Sequence, residues 1–421
     1  MNLFGWDLVY AASVEVVNKK FTQLAKFKDQ SFQCNLAPPY ADEQVHVSGV
    51  FGAWSISANP STKLIWLKLP ISNLNMESPS TVLNVAASTV TLTVELNLGF
   101  VSATGSSNLS QLGFAFADSK GPSSMGDSIK VVEFDDPGSK FNAFRGGVFK
   151  LAIITYLKEH ASELNYVFAS AFLHNGQADW LSPDNISFGI AKREDHKAYL
   201  CLFGGMGSNQ GQPGQVDSLM FNSSDDIYLG FSSGLFMQRV VLPGFHQRLN
   251  GYQIFNNNGV LQGGSFKLPD VVVGLITYHP QVDSLQVSIA GTQLATTIQG
   301  SCDMYLGIRL SFTYSSFSPI ALDKESRSIK LLAPTNEAFN HQVNMGDKGG
   351  PEAPMVSLIV KPIITVITNA IGDSIANVIS KTGPGAGLRF VPVQLQWSNV
   401  DFSRVNQAII ADNFFITGLS N

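Results

Sequence analysis

One stretch of the chain recurs about half a chain length later, and this repeat constrains the fold more than any other feature. Residues 226–241, DIYLGFSSGLFMQRVV, can be laid over residues 7–21, DLVYAASVEVVNKKF, by a shift of 219 positions. The shift makes three pairs: Asp226 with Asp7, Ser232 with Ser13, and Leu235 with Val16. Because each unit is as large as a domain, so long a period excludes a solenoid. The sequence therefore predicts two similar modules in tandem, residues 1–215 and 216–421.

Helices are expected at matching places in both modules. The opening stretch, residues 5–27, carries apolar residues at spacings of three and four, the pattern of an amphipathic helix. That stripe consists of Trp6, Tyr10, Val14, Val17, Phe21 and Leu24. The repeat then predicts the same helix at 226–241. Longer helices are predicted at 141–172, capped by Ser139 or Asn142, and at 355–381, kinked or started at Pro362 and stopped by the GPG at 383–385.

Between the helices the pattern changes to strict alternation of apolar and polar residues. It runs without a fault through 89–100 and again through 304–314. Alternation of this kind predicts strands with one buried and one solvent-exposed face, and hence antiparallel sheets covered on one side. The predicted class is α+β, elongated, with long curved antiparallel sheets wrapped around long helices and an apolar interior between them.

Composition excludes several classes of function. Of 421 residues only 14% are charged, the formal net charge is -5, and no run of Lys or Arg occurs, so a nucleic-acid partner is not expected. The most apolar segment, 355–372, contains Lys361 and Pro362 and is short for a bilayer, so no transmembrane segment is expected. Asp7 and Glu15 interrupt the N-terminus, which predicts synthesis in the cytoplasm without a Sec signal peptide.

No catalytic or metal site emerges from the motifs. The GFSSG at 230–234 fits the G-x-S-x-G elbow of serine hydrolases, but the parallel α/β context is missing and Ser232 matches Ser13 of the repeat. None of the seven histidines lies within four positions of another, so no local zinc pair exists. The three cysteines are too far apart for a local site, and we interpret them as buried apolar residues. Neither a metal nor a cofactor is expected, and the glycine-rich 204–215 is interpreted as a flexible linker.

The opening stretch also carries a family resemblance. GWDLVYAASVEVVNKKF, through its Gly-Trp-Asp, aliphatic-Tyr and Val-Asn-Lys elements, closely resembles the N-terminus of the 47-kilodalton accessory proteins encoded beside botulinum neurotoxin genes of the orfX type. The matching residues are Gly5, Trp6, Asp7, Tyr10, Val17, Asn18 and Lys19. The resemblance implies a tubular lipid-binding (TULIP) fold, similar to bactericidal/permeability-increasing protein. It also implies a non-enzymatic accessory of a bacterial protein toxin, with extracellular action beside that toxin and no catalytic residues.

Two functional hypotheses follow. In the first, the interior binds lipid or another amphiphile through apolar groove residues, for which the candidates are Trp6, Tyr10, Val17, Val94, Leu96, Ile364, Ile367 and Ile371. In the second, the interior is filled, and the surface binds a toxin component or a related accessory protein as a scaffold or toxin chaperone. A serine esterase that uses Ser232 is a distant third.

Overall fold

A computed structural model of the chain describes most of its residues. The described ranges are 1–23, 29–37, 43–58, 64–85, 89–103, 106, 108–115, 129–164, 166–173, 182–195, 197–212, 214–221, 224–248, 254–267, 270–273, 275–304, 308–323, 328–344, 353–376, 379–381, 388–390 and 395–420. Two predicted features lie outside them, Leu24 of the first apolar stripe and the GPG at 383–385.

Antiparallel strands dominate the fold. The strands are β1 Leu8–Ser13, β2 Gln30–Leu36, β3 Val45–Phe51, β4 Ser55–Ala58, β5 Leu64–Ser78, β6 Thr81–Val85, β7 Val90–Ser102, β8 Leu109–Phe114, β9 Ile129–Asp135, β10 Ala169–Phe172, β11 Asn185–Lys192, β12 Ala198–Gly205, β13 Ile227–Phe231, β14 Ile254–Asn257, β15 Val260–Gly263, β16 Phe266–Lys267, β17 Val271–Val273, β18 Ile276–Tyr278, β19 Pro280–Ala290, β20 Gln293–Asp303, β21 Arg309–Ser318, β22 Ile320–Asp323, β23 Ser328–Leu331, β24 Asn336–Asn344, β25 Ile379–Lys381, β26 Leu388–Phe390, β27 Leu395–Trp397, β28 Phe402–Ala411 and β29 Asn413–Ser420. The helices are α1 Val14–Phe21, α2 Ala143–Glu159, α3 Ser233–Phe236, α4 Leu242–Arg248 and α5 Ala353–Ala376, with a 3-10 turn at Ser218–Met220 and a π-helical turn at Met237–Val241.

Three large sheets contain most of the described strands, and β17–β18, β22–β23 and β25–β26 form two-stranded sheets. A six-stranded sheet has the order β11-β12-β1-β13-β29-β28, and a seven-stranded sheet contains β14-β15-β19-β20-β21-β24 with β16 on β19. The ten-stranded sheet contains β2-β3-β5-β7-β8-β10-β27, with β4 and β6 on β5 and β9 on β7. The six-stranded sheet takes three strands from each side of residue 215. The α+β class with long antiparallel sheets is confirmed.

The alternating segments form strands as predicted. In β7 the side chains of Val90, Leu92, Val94 and Leu96 are all fully buried. The polar face is less exposed to solvent than its pattern predicts, since Thr93 is also buried and donates its hydroxyl proton to Glu133 at 3.1 Å. In β21 the alternation buries Leu310, Phe312 and Tyr314, and the same face continues with the buried Ser316 and Ser318.

The prediction of a helix at the start of the chain is wrong for its first half. Residues 8–13 form β1, which lies between β12 and β13 in the six-stranded sheet and is buried on both faces. A strand buried on both faces is continuously apolar, so an i, i+3, i+4 pattern can be found in it by chance. The helix begins only at Val14, where the Ser13 side chain accepts from the Val16 N–H at 3.3 Å.

The second copy repeats this strand-then-helix order. β13 takes the place of β1, and Ser232 caps α3 by accepting from the Leu235 N–H at 3.1 Å. The helix predicted at 141–172 is capped by Asn142 but ends at Glu159, and its last predicted residues form β10. The late helix α5 starts at Ala353 and contains Pro362 in its interior.

Candidate functional site in the apolar interior

Buried apolar side chains from both halves of the chain form one contiguous cluster. Helix α2 packs on β2 and β9, α1 packs on β1, β4 and β12, and α5 packs on α4, β17 and β23. Six of the candidate residues belong to this cluster: Tyr10, Val17, Val94, Leu96, Ile367 and Ile371. Ile364 is partly buried and packs against its surface. The structure therefore brings most of the candidates into one apolar interior.

Trp6 lies elsewhere. It belongs to a second cluster, together with Val9, Ala11 and Phe203. Its ring stacks on Phe203 at 5.3 Å between centroids, and its indole N–H donates to the Gln212 carbonyl at 3.1 Å. A Cβ on Gly211 would lie 2.5 Å from the ring, so the loop approaches Trp6 as only glycine allows. The described part of the glycine-rich loop is therefore packed against the sheet, and the interpretation of it as a flexible linker is wrong.

The spacing of the repeat has a structural role that sequence analysis did not find. The Ser232 hydroxyl donates to Asp7 Oδ1 at 2.9 Å, and the Ser13 hydroxyl lies 3.5 Å from Asp226 Oδ1. The backbone repeats this exchange, because the Ser13 N–H donates to the Asp226 carbonyl and the Ser232 N–H donates to the Asp7 carbonyl, both at 2.8 Å. The aspartate of each copy thus hydrogen-bonds to the serine that caps the first helix of the other copy.

These contacts give the Ser232 hydroxyl a structural role. It accepts from the backbone of α3 and donates to Asp7, whose other oxygen accepts from the Met206 N–H at 2.8 Å and from the Asn209 amide at 2.9 Å. The hydroxyl therefore uses its one proton and one of its lone pairs, and the Asp7 carboxylate accepts from three groups. This arrangement fits a helix cap, and among the residues that the structure describes no histidine bonds to the Ser232 hydroxyl as the base of a serine nucleophile would.

Aromatic side chains meet where the six-stranded and ten-stranded sheets adjoin. The Tyr10 ring lies 6.3 Å from the Phe402 ring and 6.5 Å from the Trp397 ring, measured between centroids. Trp397 belongs to β27, which pairs with β10. Burial, with a smaller contribution from Asp401, raises the pKa of the Tyr10 phenol well above its usual value. The phenol therefore stays neutral, and the junction is an uncharged aromatic environment.

One polar atom in this junction has no partner. Trp397 is 3% exposed, and its indole Nε1 makes no hydrogen bond with any residue that the structure describes. A buried donor left unpaired costs on the order of 1–3 kcal/mol. An oxygen atom of a bound water or ligand would remove that cost.

Helix α5 carries apolar residues on its partly exposed side as well as on its buried side. Ile359, Ile363, Ile367 and Ile371 form a stripe at spacings of four and are at most 2% exposed. Beside it Ile364 and Val366 are only partly buried, and Leu358 is 54% exposed. Within the described part of the chain, no helix has both the length and the apolar content that a membrane span requires.

A second kind of surface lies on the outer face of the seven-stranded sheet. A groove of about 370 Å³ is lined there by Asp283, Gln299, Gly300, Ser311, Phe312, Thr313, Asn340, His341 and Gln342. Its lining is rich in hydroxyl and amide groups. Among the described residues no group of three or more His, Cys, Asp or Glu side chains is arranged to hold a metal ion.

The chain is similar to known proteins over its whole length. A family model described as OrfX-like, Protein OrfX2/OrfX3/P47, matches residues 3–316. Protein P47 of Clostridium botulinum (strain Kyoto / Type A2) is 22% identical over 441 residues, with 100% of each chain covered. The solved structure of P47 from Clostridium botulinum A2 superposes with a TM-score of 0.79 at 18% identity, covering 100% of this chain and 98% of that one. P47 of Clostridium botulinum E1 gives a TM-score of 0.74 at 17% identity, with 100% of each chain covered. The chain therefore belongs to the OrfX-like family of OrfX2, OrfX3 and P47 proteins.

Proposed function

We propose that this protein is a non-enzymatic binder of lipid or another amphiphile, of TULIP type, and acts as an accessory to a bacterial protein toxin system. Family membership supports the accessory role. The apolar interior between sheets and helices supports the ligand class, since burying a fatty chain is worth about 0.8 kcal/mol per methylene. Within this interior, the candidate groove residues remain a proposal.

The unpaired indole N–H of Trp397 carries the proposal. It lies in an apolar, aromatic junction with Tyr10 and Phe402, where an acyl chain would find carbon contacts and its ester or acid oxygen would find a donor. Apolar pockets with a few convergent polar groups are the usual form of small-molecule sites. The partly exposed apolar flank of α5, with Leu358 and Ile364, supplies a second region where an amphiphile would contact the protein.

Mass spectrometry of co-purified lipid tests the proposal. The natively purified protein is extracted with organic solvent and compared with a protein blank, before and after incubation with mixed liposomes. We expect a stoichiometric, selected lipid class from the wild type and a severalfold loss from Trp397→Phe, which removes the N–H and keeps an aromatic ring. Trp66→Phe is the matched control, because the Trp66 N–H is already paired with Glu95 at 2.9 Å. A blank extract in every case would refute lipid binding.

One observation favours the alternative of a protein-binding scaffold. Strand β24 pairs with β21 on one side and ends the path of the seven-stranded sheet among the described strands. Phe339 on this strand is 40% exposed and stacks on His341 at 5.4 Å between centroids. A free sheet edge with exposed aromatics can add a strand from a partner protein. A blank lipid extract combined with a partner that protects β24 from hydrogen exchange would establish this alternative instead.

A further inference from the structure

Two rows of polar side chains line the groove on the outer face of the seven-stranded sheet. Gln299, Thr313 and Asn340 lie in register on β20, β21 and β24 and form the first row. Ser311 and Gln342, two residues further along β21 and β24, are also paired in register and form the second row. The groove thus lies between two lines of hydroxyl and amide groups.

The floor of the groove is backbone. Gly300, Phe312 and His341 share the register row between the two polar rows, and alternation along each strand directs their side chains to the other face. The Phe312 ring is 3% exposed and lies against Gly300, where a Cβ would not fit. The groove therefore runs across the strands, and at about 4.8 Å per strand it extends about 14 Å from β19 to β24.

A β-bulge directs a carboxylate to the β19 end of the groove. The register of β19 and β20 shifts between Val282 and Ser284, so Asp283 is the extra residue. Its side chain lines the groove, and its Oδ1 accepts from the Gln281 amide at 3.2 Å. Bulges of this kind re-aim a side chain and are common next to binding and active sites. The described lining contains no Lys or Arg, which disfavours an anionic ligand.

We propose that this groove binds a neutral oligosaccharide. Four lining side chains make no hydrogen bond with any residue that the structure describes: Ser311, Thr313, Asn340 and Gln342. Hydroxyl and amide groups both donate and accept hydrogen bonds, and so does each hydroxyl of a sugar. The spacing of the strands is close to the length of one sugar unit, so successive units of a chain across the strands meet successive polar side chains.

The position of the groove favours a sugar over a peptide. A peptide that joins a sheet bonds to an unpaired strand edge, whereas the groove lies over β20 and β21, which are both paired on two sides. The side chains of its two rows are all polar and offer no apolar pocket for a peptide side chain. The proposal goes beyond the interior ligand of the proposed function, because the outer face of this sheet lies opposite its buried face.

Calorimetric titration of the full chain with cellotetraose, maltotetraose and chitotetraose tests the inference. We expect saturable binding that Thr313→Val and Gln342→Met each weaken about three- to tenfold, because each removes hydrogen-bonding groups at nearly constant size. Thr297→Val and Gln286→Met are the matched controls. Thr297 and Gln286 are in register on β20 and β19 outside the groove, and their variants should bind like the wild type.

Flotation with phosphatidylcholine vesicles that contain lactosylceramide distinguishes a lipid headgroup from a free glycan, with plain vesicles as the blank. Binding of the tetrasaccharides alone assigns the groove to a free glycan, and glycolipid-dependent flotation that Thr313→Val weakens assigns it to a headgroup. No binding in either arm, equal loss in Thr313→Val and Thr297→Val, or binding of tetraglycine in place of sugar would each overturn the inference. Lipid extracted from the purified protein tests the proposed function separately and should be unchanged in Thr313→Val.

Discussion

At the scale of single residues, the fold depends on polar groups that close helix starts and glycines that admit bulky neighbours. Ser13 and Ser232 occupy equivalent positions in the repeat, and each is bonded across the β1–β13 pair to an aspartate of the other copy. The GFSSG motif at 230–234 fits a hydrolase elbow in the sequence, but in the structure its Ser232 is a helix cap.

Ser232→Ala should lower the free energy of unfolding by about 1–2 kcal/mol, because it removes a helix cap and one donor to the buried Asp7 carboxylate. Urea denaturation measures this change. Ser233→Ala, one residue further on, is the control and should stay within about 0.5 kcal/mol of the wild type. Any esterase activity of the preparation should be identical in wild type and Ser232→Ala; a proportional loss would restore the hydrolase hypothesis.

Two glycines should respond to alanine in opposite directions. At Gly211 the new Cβ would lie 2.5 Å from the Trp6 ring, which predicts destabilisation of about 1–3 kcal/mol. At Gly147, inside α2, nothing lies within 4 Å of the new Cβ, and the better helix propensity of alanine predicts a gain of about 0.5–1 kcal/mol. Thermal unfolding of both variants, side by side, measures the two signs. Equal melting temperatures would contradict the packing of the 204–215 loop on Trp6.

The buried thiols should make stability fall at high pH. Burial, with a smaller contribution from Glu159, raises the pKa of Cys34 from 9.0 to about 11, and burial with a contribution from Asp303 does the same for Cys302. The folded protein therefore keeps these protons to higher pH than the unfolded chain, and the free energy of unfolding should fall as the pH rises from 9 to 11. Replacing both residues by Ala should flatten that part of the profile relative to the wild type. Rapid reaction of the native protein with a thiol reagent at pH 8 would show that these thiols are not buried.

At the scale of elements, burial decides which pattern a segment can show. β7 has one buried apolar face, so its alternation predicted a strand correctly. β1 is buried on both faces, and its continuous apolar run gave the wrong periodicity. Helix α5 combines a fully buried isoleucine stripe with a partly exposed apolar flank, and the two sides predict different consequences of mutation.

Ile367→Ala on the buried side of α5 should cost about 2–5 kcal/mol of stability, because Ile367 is fully buried and its loss leaves a cavity. Thr365→Ala on the exposed side should change stability by less than about 0.5 kcal/mol. Chemical denaturation of both variants gives the comparison. An Ile367→Ala variant that is as stable as the wild type but has lost its co-purified lipid would place this residue in a ligand groove and not in the packed core.

At the scale of the whole molecule, the two copies of the repeat meet in one sheet. β1 and β13 pair so that Leu8 opposes Phe231 and Ala12 opposes Ile227. The shift of 219 positions carries Leu8 to Ile227 and relates Phe231 to Ala12, so it converts the first pair into the second. A two-fold axis between the strands produces this relation. An internal duplication would leave this signature, and the division into modules 1–215 and 216–421 remains a prediction.

Fragments 1–215 and 216–421 should not fold separately. Each would expose one side of the broken β1–β13 pair, and the first would also lose β27 from β10. Size-exclusion chromatography of each fragment alone should show aggregates or unfolded chain, and co-expression should restore a soluble 1:1 complex. A monomeric first fragment that unfolds cooperatively would show that the modules are independent domains.

The sequence by itself determined whatever depends on local patterning: the antiparallel strands with one buried face, a helix cap at Ser139 or Asn142, the shift of 219 positions, and the family through the motif that begins at Gly5. These follow from side-chain periodicity and turn chemistry within short windows. The functional meaning of the repeat was not available in that way, since the Asp7 and Ser232 contact joins residues 225 positions apart.

Only the tertiary structure decided which apolar residues share an interior. Trp6 and Tyr10 appear on one helical stripe in the sequence, yet the β1 region places them in different clusters. The unpaired Trp397 indole could likewise not be predicted, because the sequence does not show whether a tryptophan lies in a packed core or at a junction between two sheets. The physical reason is that burial is a property of the whole packed chain, whereas hydrophobicity is a property of each residue.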